Sequence, residues 1–228
     1  MKTSINKAIL LFGPPGAGKG TQARLISQKT GFINFDTGSL IEKTIYNPKF
    51  YKSKVIRRER KNFEAGKLCT PSWALELIRN SIEKISNNKL GIILSGSPRT
   101  LFETAGNNKH KGIINTLIKE YKKGNIIIFE IRIKEEESIL RNSKRLICSL
   151  CNIQILRFHS NLKKCPFCGG NLIRRTLDKK NIIKERYKEY SERTKPIFAE
   201  LKKSGFKIHA INGAPMPNKI FKSIMKFI

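Results

Sequence analysis

The stretch Gly13-Pro14-Pro15-Gly16-Ala17-Gly18-Lys19-Gly20-Thr21 combines closely spaced glycines with one lysine and one hydroxyl. Glycines let a chain turn tightly and bring backbone N–H groups against an anion. Lys19 adds a long cationic side chain that reaches outer phosphates, so this is the chemistry of a phosphate cradle. A second set is Cys148-x2-Cys151 and Cys165-x2-Cys168, with 13 residues between the pairs. In a chain of cytosolic type two such knuckles read as a metal site, four thiolates around one tetrahedral Zn²⁺, and not as disulfides. A closed shell of four sulfurs leaves no open position, so that zinc is structural. Gly169-Gly170 suits the turn that aims backbone N–H groups at sulfur. The fifth cysteine, Cys69, reads as a small buried apolar residue.

These residues need elements to hold them. Ala8 to Phe12 is apolar, too short for a helix, and bounded by glycine and proline. Gln22 to Lys29 has helical spacing. Strand, loop and helix therefore follow one another, and the helix points its positive end at the cradle. Phe32 to Phe35 is a second strand, after which Asp36 or Thr37 caps a helix. Residues 43 to 65 are polar and helical with a break near Asn47-Pro48. Pro71 opens a helix to about Ser86, whose Trp73, Leu75, Leu77 and Ile78 form a core face. Ile92 to Leu94 is a buried strand leading into a loop at the sheet's carboxyl end, where ligands gather in doubly wound folds. A helix over Asn115 to Lys123 closes at Gly124, and Ile126 to Ile133 is a fourth strand. Glu135, Glu136 and Glu137 favour the first turn of the next helix. Residues 179 to 203 form a long helix that Pro196 kinks or restarts. A fifth strand over Phe206 to Ile211 and an amphipathic helix over 216 to 228 complete the chain.

The loop Gly-Pro-Pro-Gly-Ala-Gly-Lys-Gly-Thr-Gln resembles that of the adenylate kinases and their nucleoside monophosphate kinase relatives, and the likeness runs through nearly the full length. The resemblance implies an α/β, three-layer doubly wound P-loop fold with a five-stranded parallel sheet. It implies a core of residues 1–35, 70–143 and 179–228. Residues 36–69 correspond to a helical lobe over the acceptor nucleotide, and residues 144–178 to a zinc-binding lid of the long, four-cysteine form. It also implies reversible phosphoryl transfer from Mg²⁺·ATP to AMP or a related nucleoside monophosphate.

Carried over residue by residue, Gly16, Ala17, Gly18, Lys19, Gly20 and Thr21 match the donor phosphate site, with Thr21 near Mg²⁺. Thr37 and Lys67, the latter in Gly66-Lys67-Leu68, match the acceptor side. Gly96, Pro98, Arg99 and Thr100 match the family's Asp-Gly-Phe-Pro-Arg-Thr, and Arg99 corresponds to the acceptor phosphate ligand. Glu103 falls where the family places a glutamine against the acceptor base. Arg141 and Arg145 match two arginines at the lid hinge, and Arg175 and Arg186 two that clamp the transferred group. Gly213 matches the turn that meets the donor adenine. Lys19, Arg99, Arg145, Arg175 and Arg186 form the implied catalytic set. Ser39 and Ser95 stand where the family has aspartates, Glu42 where it has an arginine, and Leu177 where it has a lid aspartate.

These departures support a second reading, a catalytically degenerate ATP-binding protein with a regulatory or RNA-associated role. A third, a basic zinc-ribbon RNA binder, meets few aromatics near the knuckles, only Phe158 and Phe167. The 46 lysines and arginines against 17 acidic residues give a net charge of +29, which suits polyanionic partners. They are spread along the whole chain, which argues against a dedicated nucleic-acid arm. No apolar run approaches the roughly 18 residues of a membrane helix, and the N-terminal run is shorter than a signal-peptide core. A cytoplasmic monomer without membrane contact is the expectation.

Overall fold

The computed structural model describes residues 6–156, 162–174 and 176–228. Strand β1 (Ala8–Phe12), wholly buried, is the centre of a five-stranded sheet. With β2 (Ile33–Asp36), β3 (Ile92–Ser95), β4 (Ile126–Arg132) and β8 (Ile208–Asn212) the order is β2-β3-β1-β4-β8, and every pairing is parallel. A parallel strand covered on both faces must be apolar throughout, which is why β1 and β3 read as continuous Ile/Leu runs. Alternate β1 side chains feed two helical layers. Ala8, Leu10 and Phe12 pack with α4 (Pro71–Asn87), α6 (Ile113–Tyr121) and α9 (Ile197–Lys203). Ile9 and Leu11 pack with α1 (Lys19–Thr30) and α10 (Pro217–Met225). Each fully buried Leu or Ile contributes about 1.5–3 kcal/mol, so the two faces anchor the sheet whose carboxyl edge carries the site. The three-layer doubly wound architecture expected from the sequence is the one observed.

At that edge Leu11 lies opposite Ser95, and Ser95 opposite Asp36. The strand ends thus bring residues from distant parts of the chain side by side.

Helix α2 (Thr37–Ile45) is capped by Asp36, whose Oδ1 accepts from the N–H of Gly38 at 2.9 Å and of Ser39 at 3.4 Å. It packs with α3 (Lys54–Glu64) around Ile41, Ile45, Ile56 and Cys69, with Phe63 and Trp73 alongside. Cys69 is the buried apolar residue expected, and burial pushes its thiol up to about 12. Glu59 is fully buried at the base of this unit, where it accepts from Thr70 N–H (2.7 Å) and Thr70 Oγ1 (2.6 Å). Pro48 begins a short 3-10 turn at the expected break.

One element end differs from the sequence reading. Helix α6 stops at Tyr121, because Lys122 itself turns to φ 65° and Asn125 Nδ2 donates to the Tyr121 carbonyl at 2.9 Å. Gly124 lies in the following 3-10 turn and is not the terminator. The long C-terminal helix restarts at Pro196, as expected, and it is already widened ahead of the proline. Helix α8 (Lys180–Glu189) runs into a π turn over Tyr190–Thr194, and Pro196 then caps α9. A proline ring crowds the carbonyl four residues upstream, and widening that turn relieves the clash.

Helix α5 (Leu101–Ala105) follows β3, and α7 (Glu135–Lys144) follows β4. The chain then leaves the sheet into a small antiparallel sheet, ordered β6-β5-β7, of β5 (Arg145–Cys148), β6 (Gln154–Leu156) and β7 (Leu172–Ile173). No helix among the described residues is long and apolar enough to cross a membrane.

Candidate functional site

The loop after β1 curls back on itself. Lys19 Nζ donates to the carbonyls of Gly13 (2.6 Å) and Pro14 (2.9 Å), and Ala17 N–H donates to Pro14 O. Helix α7 packs under the loop: Ser138 Oγ donates to Pro15 O at 2.6 Å, and Asn142 lies buried beside it. Gly16 has φ 78°, and a Cβ there would lie 2.6 Å from Asn142 Nδ2, so only glycine allows this approach. Helix α1 begins at Lys19, with Gly18 before it in left-handed conformation and no side-chain cap. Its first N–H groups and its dipole therefore face the loop's concavity along with Lys19, Gly20 and the half-buried Thr21.

Three arginines converge on this loop. Part of Lys19 stays in contact with solvent, yet its ammonium is depressed to about 7. Burial is the first cause, followed by the charges of Arg99, Arg186 and Arg145, with Asp36 opposing. Cations are normally dispersed; gathering four at one strand edge makes a site for a polyanion.

Each arginine is held. Arg99 donates from Nε to Gly96 O at 2.5 Å, its N–H donates to Glu103 Oε2 at 2.7 Å, and its carbonyl accepts from Thr194 Oγ1 at 2.9 Å. The π turn thereby seats the Arg99 backbone. Arg145 makes a two-pronged pair with the buried Asp178, Nε to Oδ2 at 2.9 Å and Nη2 to Oδ1 at 2.5 Å, joining the two ends of the small sheet's insertion. Arg186 Nη1 lies 3.9 Å from the same carboxylate. Arg141 bonds Glu137 at 2.6 Å and donates to Gly213 O and Ala214 O, both at 2.9 Å, which brings α7 and the turn after β8 together. Arg175 lies outside the described residues.

On the other side of the edge, Thr37 is buried and its Oγ1 has no hydrogen-bond partner among the described residues. Glu103 is buried, which raises its pKa, and one of its oxygens is committed to the Arg99 N–H. With Thr100 Oγ1 accepting from Glu103 N–H, it completes a capping arrangement at α5. Lys67 is exposed, while Gly66 before it (φ 79°) sits tight against α8: a Cβ there would lie 2.7 Å from Ile182 Cγ2. Glu42 lines a cleft with Tyr46, Phe63, Glu64, Ile173, Arg174 and Leu177 between α2–α3 and the small sheet. Asp178, the partner of Arg145, was not singled out from the sequence, and Glu137 was read only as a first-turn helix residue and not as the partner of Arg141. An acidic residue three after an arginine pair is too common a pattern to flag, whereas Glu137 and Arg141 stand at the i,i+4 spacing of a helical ion pair.

The four cysteines meet. Their Sγ atoms all lie within 4.8 Å of one another, with Cys148–Cys168 at 3.3 Å and Cys151–Cys165 at 3.7 Å. Thiolates at about 2.3 Å from a tetrahedral ion stand about 3.8 Å apart, so the set fits a metal ion. Backbone N–H groups of Leu150 and Cys151 point at Cys148 Sγ from 3.4 and 3.5 Å. A Cβ at Gly170 would lie 2.8 Å from that sulfur, so the knuckle requires the glycine.

Among known proteins, the family model described as adenylate kinase matches residues 11–206. An adenylate kinase of Methanothrix thermoacetophila is 31% identical over 222 residues, covering 96% of this chain and 97% of that protein. Those of Petrotoga mobilis and Archaeoglobus fulgidus are 29% and 26% identical, covering 96% and 95% of this chain and the same shares of theirs.

Proposed function

The chain belongs to the adenylate kinase family, and from that premise we propose that it transfers the terminal phosphoryl group of ATP reversibly to AMP or a close nucleoside monophosphate, giving two nucleoside diphosphates. The observation that carries this is the gathering of Arg99, Arg145 and Arg186 around Lys19. A protein that only holds ATP needs the loop and has no use for three further cations.

In this reading an oxygen of the acceptor phosphate attacks the terminal phosphorus while the bond to the bridging oxygen of ATP breaks. No covalent enzyme intermediate forms. The protein positions the two nucleotides in line and neutralises charge spreading over the phosphoryl oxygens. The loop from Gly16 to Thr21 holds the donor phosphates, Arg99 the acceptor phosphate, and Lys19, Arg145, Arg175 and Arg186 the group in flight. Arg141 and Gly213 border the donor base; Thr37, Lys67 and Glu103 border the acceptor. The hydroxyl of Thr21 is a hard oxygen donor suited to Mg²⁺, which when bound neutralises phosphate charge. Residues 36–69 act as the acceptor lobe and 144–178 as the lid, on a core of 1–35, 70–143 and 179–228. Zn²⁺ held by Cys148, Cys151, Cys165 and Cys168 stabilises the lid, which has too little apolar core to fold alone.

Glu42, Ser39 and Ser95 favour the second reading, a nucleotide binder with little turnover. The reading is tested with Arg186→Met. Its kcat should fall on the order of a hundredfold or more while ATP affinity changes little. Equal loss of ATP affinity and no turnover in the parent would favour the binder.

A further inference from the structure

A cation that prefers hard oxygens and keeps most of its waters is held beside substrate phosphates by one or two carboxylates. Strand β3, next to the loop strand, ends in Ser95, which carries no charge. Among the described carboxylates around the loop, Glu137 is engaged by Arg141, Asp178 by Arg145, Glu130 by Arg132 and Glu103 by the Arg99 N–H.

Asp36 differs. It lies directly across from Ser95 at the end of the neighbouring strand and is exposed. Its charge acts on Lys19. The backbone at Gly38 is flanked by both Asp36 Oδ1 and Arg99 Nη2, a Cβ there standing 3.2 and 3.9 Å from them, so the carboxylate borders the cation cluster. Oδ1 is turned to the helix cap, while Oδ2, among the described residues, meets only the hydroxyl of Ser39, at 3.1 Å. A hydroxyl donates one proton and leaves the oxygen further lone pairs.

We propose that Asp36, backed by Ser39 and Ser95, is the carboxylate that orders the water shell of the ATP-bound Mg²⁺ in this chain. The inference rests on the proposed kinase reading for its purpose, since only a Mg²⁺·ATP site needs such a group. The negative charge sits at the end of β2 and serves the same volume that a carboxylate at the end of β3 would serve.

The test is binding, without turnover. Asp36→Asn keeps the cap, because the amide oxygen still accepts from Gly38 and Ser39, and removes only the charge. ATP affinity is titrated calorimetrically in Mg²⁺ and in EDTA, and water-proton relaxation reports the Mn²⁺·ATP complex. Asp36→Asn should bind metal-free ATP as tightly as the parent or tighter, and lose about tenfold or more of the metal's enhancement. Ser95→Asp added to Asp36→Asn should restore much of it. An unchanged Mg²⁺ enhancement and Mn²⁺ relaxation in Asp36→Asn would overturn the assignment. So would a parallel loss of metal-free and metal-bound affinity with a lowered Tm, since that is a capping effect alone. Absence of turnover with every acceptor would sink the kinase reading and leave these titrations readable, because they need only ATP and the metal.

Discussion

Lys19 is the residue on which the site's electrostatics turn. Its ammonium, depressed from 10.5 to about 7 in the ligand-free protein, is disfavoured by burial and by Arg99, Arg186 and Arg145. Below about pH 7 the lysine is protonated in both folded and unfolded chains, and folding bears the full cost of the buried charge. Between about 7 and 10.5 only the unfolded chain keeps the proton, so stability rises with pH across that window. Urea unfolding of the ligand-free protein at pH 6 to 10 should show this gain relative to Lys19→Met; parallel profiles would refute it. Glu42 makes the second test at this scale. A carboxylate beside an acceptor phosphate repels it, and one charge-assisted contact is worth about 1.5–3 kcal/mol. Glu42→Arg should therefore lower the KM for AMP about tenfold or more, read from initial rates at saturating ATP. An unchanged KM would place the acceptor elsewhere.

At the scale of elements, the insertion of β5, β6 and β7 stands or falls with its metal. Its sheet is short, its buried residues include Cys148 and Cys165, and Gly170 seats against Cys148 Sγ. Cys148→Ser or chelation should expose residues 145–178 to limited proteolysis while the main sheet keeps its Tm, and zinc analysis should fall with it. Unchanged protease resistance would count against zinc as the stabiliser. The elements also show what the sequence discloses. Strand, loop and first helix were legible because the signal is local, apolar run to glycines to helical spacing. So was the cysteine quartet, whose spacing is its own evidence. Asp36 opposite Ser95 was not legible, since it depends on the pairing of β2 with β3. Nor was Asp178 as the clamp of Arg145, which joins residues 33 apart. Glu103 read as a ligand for the acceptor base, yet one of its oxygens secures the Arg99 backbone. The restart at Pro196 was legible, while the π turn over Tyr190–Thr194 was not, because a proline acts one turn upstream through packing.

At the scale of the molecule, the carboxyl edge of the parallel sheet carries Lys19 and Arg99, and Arg145 from β5 and Arg186 from α8 add their charge to that of Arg99 on Lys19. A chain of net charge +29 draws nucleotide polyanions to that edge from any direction. This arrangement is built to move a phosphoryl group. The most direct measurement is nucleoside diphosphate formation from Mg²⁺·ATP with AMP, CMP, UMP and GMP, each over a range of concentrations, beside ATP binding measured on the same sample. Saturable turnover is expected, with AMP the preferred acceptor. Tight ATP binding with no turnover of any acceptor would contradict it and leave a protein that holds ATP without using it.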